Sequence, residues 1–343
     1  MDRAYERIDA ATGRLRELGL ECVALYADNS IDWIVTDLAC RQAGVRLVPI
    51  PLFFSAAQTM HTLSSSGAEA IVADRRIVPD TGAVNWAGAG QTWLGTMELR
   101  LLDNAGSALI PDATQKITFT SGTTGTPKGV CLSAEQQAIV ATSLAATTGL
   151  DAPRHLCILP LSTLLENLAG VYAPLLAGGT VIVPPLADVG LEGSSGLNAD
   201  RLLASITSER PDSLILVPEI LRVLTDAAER SWQPPSSLRF AAVGGGKVSP
   251  GLLERARSAG LPVYEGYGLS ECASVVCLNV PGADRPGAVG RPLPHVTVTV
   301  EDGEIVVSGN SFLGYVDQPD SWAAKSVRTG DLGTLDADGF LTI

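Results

Sequence analysis

Ile8, Ala11, Leu15 and Leu18 recur at steps of three and four, the spacing that lines one face of a helix, so the chain is predicted to open in a packed helix. The period then changes. Residues 22–27 (CVALYA) form a short continuous apolar run that suits a strand buried on both faces. Ser30 stands where an N-cap belongs, a helical pattern follows as far as Gly44, and residues 46–50 are apolar again before Pro51. This is the order strand, helix, strand. From Lys116 the rhythm resumes, with a strand at 117–120, a helix from Ser133, a strand at 156–159, a helix around 164–177 and a strand at 181–183. Further units fall at 214–217, 240–243 and 263–264, separated in part by a Gly/Ser loop at 188–196. Connections of this kind predict a second parallel sheet. After Pro286 short alternating runs at 296–300, 304–307 and 341–343, punctuated by Asp-Gly and Gly-Asn, predict an antiparallel unit. The expected fold class is therefore α/β, with two packed, mostly parallel sheets, flanking helices and a smaller antiparallel β subdomain. The expected divisions are 1–110, 111–285 and 286–343.

Composition narrows the classes of function. Hydrophobic residues make up 46% of the 343 and charged residues 18%, enough apolar surface to offset the entropy of ordering the backbone, which excludes a disordered chain. The 24 basic and 37 acidic residues give a net charge of −13 with no Lys/Arg stripe, which argues against a nucleic-acid partner. An anionic small molecule stays possible, because backbone amides and a few placed cations can hold a phosphate inside an acidic protein. Cys22, Cys40, Cys131, Cys157, Cys272 and Cys277 are scattered without a C-x-x-C pair. They read as reduced, buried thiols of a cytoplasmic protein rather than as zinc ligands or a disulfide framework. No basic-then-apolar leader opens the chain and no apolar run reaches membrane-spanning length, so a soluble protein without an integral membrane segment is expected.

The stretch most suggestive of chemistry is 118–129 (TFTSGTTGTPKG). Gly122, Gly125 and Gly129 free the backbone to turn its N–H groups toward an anion, while Thr120, Ser121, Thr123, Thr124 and Thr126 add hydroxyls and Lys128, after Pro127, adds a cation. Such a loop suits a polyphosphate. It is not a Walker A loop, since Gly129 rather than Ser or Thr follows Lys128. Composition alone also fits a plain surface loop.

The order S-G-T-T-G-x-P-K-G directly after an apolar strand resembles the signature loop of the adenylate-forming superfamily, which includes acyl-CoA synthetases, nonribosomal adenylation domains and beetle luciferases. Other segments match it in the right order over nearly the whole chain. Gly244, Gly245 and Gly246 resemble the glycine turn along the adenine. Glu265, Gly266, Tyr267, Gly268, Leu269, Ser270 and Glu271 resemble the motif whose aromatic residue, here Tyr267, packs on the adenine and whose glutamate, here Glu271, holds magnesium. A purine needs an apolar face and the metal needs hard oxygen ligands, so both residue types make physical sense. Ser270 takes a place usually held by threonine, with a hydroxyl for the α-phosphate. Thr329, Gly330 and Asp331 resemble the segment whose aspartate accepts both ribose hydroxyls. Outside these motifs Tyr267 reads as a core aromatic, Glu271 as a solvated charge and Thr329–Asp331 as a turn.

The resemblance implies attack of a substrate carboxylate on the α-phosphorus of ATP, with Lys128, Ser270 and Glu271 as catalytic residues, Mg2+ as metal, and later transfer of the acyl group to coenzyme A or to the phosphopantetheine of an acyl carrier protein. It places the acid pocket around Leu164, Asn167 and Leu168, with Val217, Gly244, Gly266 and Cys272. No Phe-Asp pair of the kind that holds an amino group occurs there, so a hydrophobic acid, fatty or aryl, is expected over an α-amino acid. Taken singly, those leucines read as sheet-facing. Ser162 and Thr163 stand where acyl-CoA and aryl-CoA ligases often carry a histidine, which puts any gating role there in doubt. His155 and His295 sit beside strands and read as structural; His61 lies in a polar helix and carries no motif. Two other classes remain open: a homologue that holds an adenylate without turnover, and an adenylating enzyme for another acid or product.

Members of that superfamily continue into a small lid domain whose lysine steers the α-phosphate, and Lys325 is too early in this chain to be that residue. The 343 residues by themselves are accordingly expected to bind ATP and acid but to adenylate slowly; ATP–pyrophosphate exchange at the rate of a lid-bearing relative would overturn this.

Overall fold

The computed structural model describes residues 2–77, 86–103, 107–120, 127–193 and 196–343, and the chain divides into two compact units. The first comprises residues 1–134, 161–163 and 312–324. Its opening helix α1 (Asp2–Leu18) buries Ala11 and Leu15, as the periodicity predicts. Strand β1 (Cys22–Tyr26) is buried throughout. Helix α2 (Ile31–Ala43) begins where Ser30 Oγ accepts the Trp33 N–H at 3.1 Å and ends at Gly44, whose φ of 74° lets the last turn close in the left-handed region. There follow β2 (Arg46–Pro49), α3 (Ala56–Ser65), β3 (Ala70–Asp74), β4 (Trp86–Thr92), β5 (Met97–Leu102), β6 (Thr114–Thr120) and β7 (Lys128–Ser133). Among the described residues they make one eight-stranded sheet in the order Gly314–Tyr315, β7, β6, β2, β1, β3, β5, β4. The run β6-β2-β1-β3 is parallel and every other pairing antiparallel.

This arrangement corrects the sheet expected for the strand at 117–120. Strand β6 does not begin a second sheet; it docks on β2, with Lys116 opposite Leu47, and β7 returns beside it as a hairpin strand that the sequence pattern did not reveal. What fixes β6 there is polar. Lys116 and Asp37 of α2 are both buried, 1% and 0% exposed, with Nζ 2.9 Å from Oδ1. Burial lowers the Lys116 pKa while the Asp37 carboxylate pulls it back up. A buried lysine facing its carboxylate across helix and strand is a long-range fact that no local period encodes.

The second unit, residues 135–160, 164–311 and 325–343, holds a seven-stranded sheet. Five parallel strands lie in the spatial order Val263–Tyr267, Phe240–Val243, Ser213–Leu216, Arg154–Leu156, Thr180–Ile182, and Cys277–Leu278 and Arg291–Pro292 add an antiparallel flank. Leu156, Ile158, Leu214, Leu216, Leu221 and Val243 are among the residues of its core. The helix expected over 164–177 contains a π-helical turn, Glu166–Tyr172, before an α-helical end at Ala173–Leu176. Strands Val296–Glu301, Glu304–Gly309 and Ser326–Leu332 form the expected antiparallel sheet. All six cysteines are free and buried. No helix of the described residues is long and apolar enough to cross a membrane.

Removing Asp37 alone leaves Lys116 uncompensated, and Asp37→Ala is expected to cost about 3–5 kcal/mol in urea denaturation. Replacing both partners by Leu and Met recovers most of that loss if the cost is one of charge.

Candidate active site

In the first unit the glycine- and threonine-rich segment leaves from β6 and returns to β7. Ser121, Gly122, Thr123, Thr124, Gly125 and Thr126 lie outside the described residues; Thr120, Pro127, Lys128 and Gly129 lie within them. Thr120 pairs with Lys128 and Phe119 with Gly129, so the hairpin ladder brings the two ends together. Gly129 lies inside β7 and not in the turn. It is a strand residue, and a Cβ there would lie 2.7 Å from Val316 Cγ2 and 2.9 Å from Phe119 Cζ, so the glycine lets neighbouring side chains close over the backbone. Lys128 is exposed, its Nζ 5.4 Å from the centre of the Tyr315 ring, a cation–π contact. His61, which sequence motifs pass over, places Nε2 2.9 Å from the Pro127 carbonyl oxygen.

The motif residues of the second unit gather at the ends of two neighbouring parallel strands. Val243 lies opposite Glu265, so the turn Gly244, Gly245, Gly246 and the segment from Gly266 onward leave the sheet side by side. A Cβ on Gly244 would come 3.3 Å from the Gly266 carbonyl oxygen, and Gly245 has φ 76°. Gly268 is more constrained still: a Cβ would fall 1.7 Å from the Ser274 carbonyl oxygen, so no side chain fits without moving the backbone. Ser270 and Glu271 are half-buried in the tight turn Ser270–Cys272. Cys272 is buried, its thiol pushed up to about 12 by burial and then by Glu271, so it stays protonated near neutral pH and is no nucleophile there.

Asp331 comes from the separate antiparallel sheet and meets this cluster. The Tyr267 hydroxyl donates to Asp331 Oδ2 at 2.6 Å, joining residues 64 apart in sequence. Burial, then this bond, raises the Tyr267 pKa, so the phenol holds its proton as donor. The turn that presents Asp331 is itself restrained. Thr329 Oγ1 accepts the Asp331 N–H at 3.1 Å and donates to the Ile305 carbonyl at 2.9 Å. Gly330, at φ 76°, donates its N–H to Glu304 Oε1 at 3.0 Å, and Arg328 holds Glu304 from the other side. Thr329 and Glu304 are positioning groups that a T-G-D motif alone does not expose.

The residues expected around an acid lie on and near the π-helical turn. Leu164, Asn167 and Leu168 are buried, as is Cys272; Val217 is half-buried at the start of the helix Pro218–Arg230. Leu165, Ala169 and Val217 pack on the core of the second sheet, whereas Leu164 and Leu168 are buried outside that cluster. The turn is tied to the sheet through His155, whose Nδ1 lies 2.9 Å from Ser213 Oγ and whose Nε2 lies 3.2 Å from Glu166 Oε1. Cys157 adjoins this pair, the donor atoms of the three lying within 4.8 Å of one another. Gly170 is needed beside them, since a Cβ would come 2.7 Å from both His155 and Glu166.

Glu265 provides a pH signature. Burial pushes its carboxyl up to about 7 against an ordinary value of 4.5, with a hydrogen bond from the Val248 backbone opposing the rise. The folded chain thus holds this proton more tightly than the unfolded one. The associated stability is full below the unfolded pKa and is lost as pH rises through about 7. Glu265→Gln keeps the neutral shape. It should flatten the stability profile across that window and exceed the parent in urea midpoint at pH ~8, while matching it at pH ~4.

Comparison with known proteins identifies the family. The model of the AMP-binding enzyme family matches residues 2–316. A 2-succinylbenzoate–CoA ligase from Bacillus licheniformis is 27% identical over 367 aligned residues, covering 99% of this chain and 72% of the relative. The solved amide bond synthetase McbA from Marinactinospora thermotolerans superposes with a TM-score of 0.81 at 27% identity, covering 99% of this chain and 73% of that one. The o-succinylbenzoate CoA synthetase of Bacillus subtilis, solved in complex with ATP and magnesium ion, has a TM-score of 0.77 at 24% identity, over 99% and 73% of the two chains. With nearly its whole length matched and the motif residues of the second unit gathered at neighbouring strand ends, this chain belongs to the AMP-binding enzyme family.

Proposed function

We propose that this chain activates a carboxylic acid as its acyl-AMP, the first half of an acid–thiol ligase reaction. The observation that carries the proposal is the hydrogen bond from Tyr267 to Asp331, which brings an aromatic wall and a ribose-type acceptor together from two separate sheets. In this reading a carboxylate oxygen of the acid attacks the α-phosphorus of ATP. A new acyl–O–P bond forms, the bond from the α-phosphorus to the bridging oxygen breaks, and that oxygen leaves with pyrophosphate. No protein nucleophile takes part, in keeping with the protonated thiol of Cys272. The chain's contribution is alignment and charge neutralisation.

Asp331 accepts the ribose hydroxyls, Tyr267 and the turn Gly244–Gly246 flank the adenine, Lys128 neutralises phosphate charge, and Ser270 donates to the α-phosphate. Glu271, a half-buried carboxylate, suits a hard cation, and magnesium held there would neutralise charge on the phosphates. The antiparallel strands Val296–Glu301, Glu304–Gly309 and Ser326–Leu332 deliver Asp331. The acyl group then passes to the thiol of coenzyme A or of a carrier-protein phosphopantetheine. The buried Leu164 and Leu168 favour a hydrophobic acid, fatty or aryl, and the B. licheniformis relative is named for an aryl acid, 2-succinylbenzoate.

A hydroxamate and pyrophosphate-release screen with ATP, Mg2+ and panels of fatty, aryl and amino acids tests this reading. Signal confined to a hydrophobic acid supports it, and a signal from amino acids alone overturns the substrate class. Asp331→Ala is expected to weaken ATP binding about ten- to hundredfold, the worth of hydrogen bonds to a charged acceptor. Unchanged binding would remove Asp331 from the site.

A further inference from the structure

The loop residue Pro127 has no backbone N–H, so its nitrogen can make no hydrogen bond to the neighbouring strand, and its carbonyl is the one polar handle it offers. His61 takes that handle at 2.9 Å. A carbonyl oxygen only accepts, so Nε2 of His61 carries the hydrogen and donates. The same ring meets Phe119 edge-on, with centroids 6.1 Å apart and planes at 90°. Phe119 precedes Thr120 at the end of β6, and Pro127 precedes Lys128 at the start of β7. One side chain therefore touches both strands at the places where the chain departs for residues 121–126 and returns. Its own footing is firm. Helix α3 opens with a reciprocal cap, in which Ser55 Oγ accepts the Gln58 N–H at 3.3 Å and Gln58 Oε1 accepts the Ser55 N–H at 2.9 Å, and Thr59, Thr62 and Leu63 are buried around the turn that carries His61.

We infer that His61 is a positioning residue for Lys128: by fixing the Pro127 carbonyl it sets the plane of the Pro127–Lys128 peptide and so the direction from which the Lys128 ammonium is presented to a triphosphate. The inference rests on the proposed reading of Lys128 as a residue that neutralises phosphate charge on ATP. It goes beyond that reading in assigning to α3, a helix that bears none of the motifs, a role in phosphate binding. The second anchor of Lys128 is the contact of its Nζ with the Tyr315 ring, which leaves the side chain exposed.

The effect should appear with phosphate-bearing ligands and not with the nucleoside. His61→Phe retains a ring against Phe119 and removes the donor; His61→Gln loses the ring and keeps an N–H able to reach the carbonyl. Equilibrium binding of ATP and of adenosine, with a thermal melt of each variant, separates the outcomes. His61→Phe is expected to weaken ATP about three- to tenfold, the worth of one neutral hydrogen bond, and to leave adenosine within about twofold and the melting temperature near that of the parent. His61→Gln should restore most of the ATP affinity. Equal ATP affinity in His61→Phe, or equal losses for ATP and adenosine with a lowered melting temperature, would overturn the inference. A parent chain that binds adenosine but gains nothing from the triphosphate would instead sink the phosphate-site reading on which it rests.

Discussion

The ion pair between Asp37 and Lys116 is where the first sheet is decided. Both groups are out of water, and each forfeits several kcal/mol of hydration that only a close partner returns. Lys116 sits on β6, a seven-residue strand buried along all but its last position, so β6 has little freedom to dock elsewhere once the ammonium has met its carboxylate. β6 in turn carries β7, and β7 carries Lys128. A buried pair that bears none of the motifs thereby sets the strand from which the candidate phosphate residues project. Ile117, Phe119, Val48 and Ile50 lie together in one apolar cluster of the same unit, and burial of that kind also disfavours a slip in register.

The residues proposed to act on the nucleotide share a manner of restraint. Tyr267, Asp331 and the peptide ahead of Lys128 are each held by a partner. Tyr267 points at Asp331, Thr329 and Glu304 shape the turn beneath Asp331, and His61 holds the peptide ahead of Lys128. Glycine contributes by subtraction: at Gly129 and Gly268 the missing Cβ lets other groups pass within contact distance. Groups fixed before a ligand arrives lose little conformational freedom on binding it, and their dipoles need no reorganisation when charge develops. The buried Glu265 belongs to the same region but works differently, since its carboxyl is neutral over part of the accessible pH range and adds no negative charge there.

The elements were largely legible from the chain. The opening helix, the Ser30 cap, the Gly44 stop, the parallel strands of the second sheet and the antiparallel unit after Pro286 all follow from periods and caps that act within a few residues of themselves. The motifs were legible too, because a glycine at a strand end, a tyrosine two residues beyond a glutamate and a Thr-Gly-Asp turn are local signals. What the chain alone misassigned was allegiance. Strand β6 was expected in the second sheet and β7 was not expected at all, and the π-helical turn at Glu166–Tyr172 looked like ordinary helix.

The sequence by itself therefore determined many of the helices and parallel strands outside residues 51–113 and the side-chain types they carry, since propensity, capping and side-chain type are properties of short stretches. Only the tertiary structure decided that Lys116 meets Asp37, that Tyr267 meets Asp331 and that His61, which carries no motif, donates to the Pro127 carbonyl. Those contacts span tens of residues. They depend on burial, on which donor finds which acceptor once water is excluded, and that selection is made by the assembled fold rather than by any window of the chain.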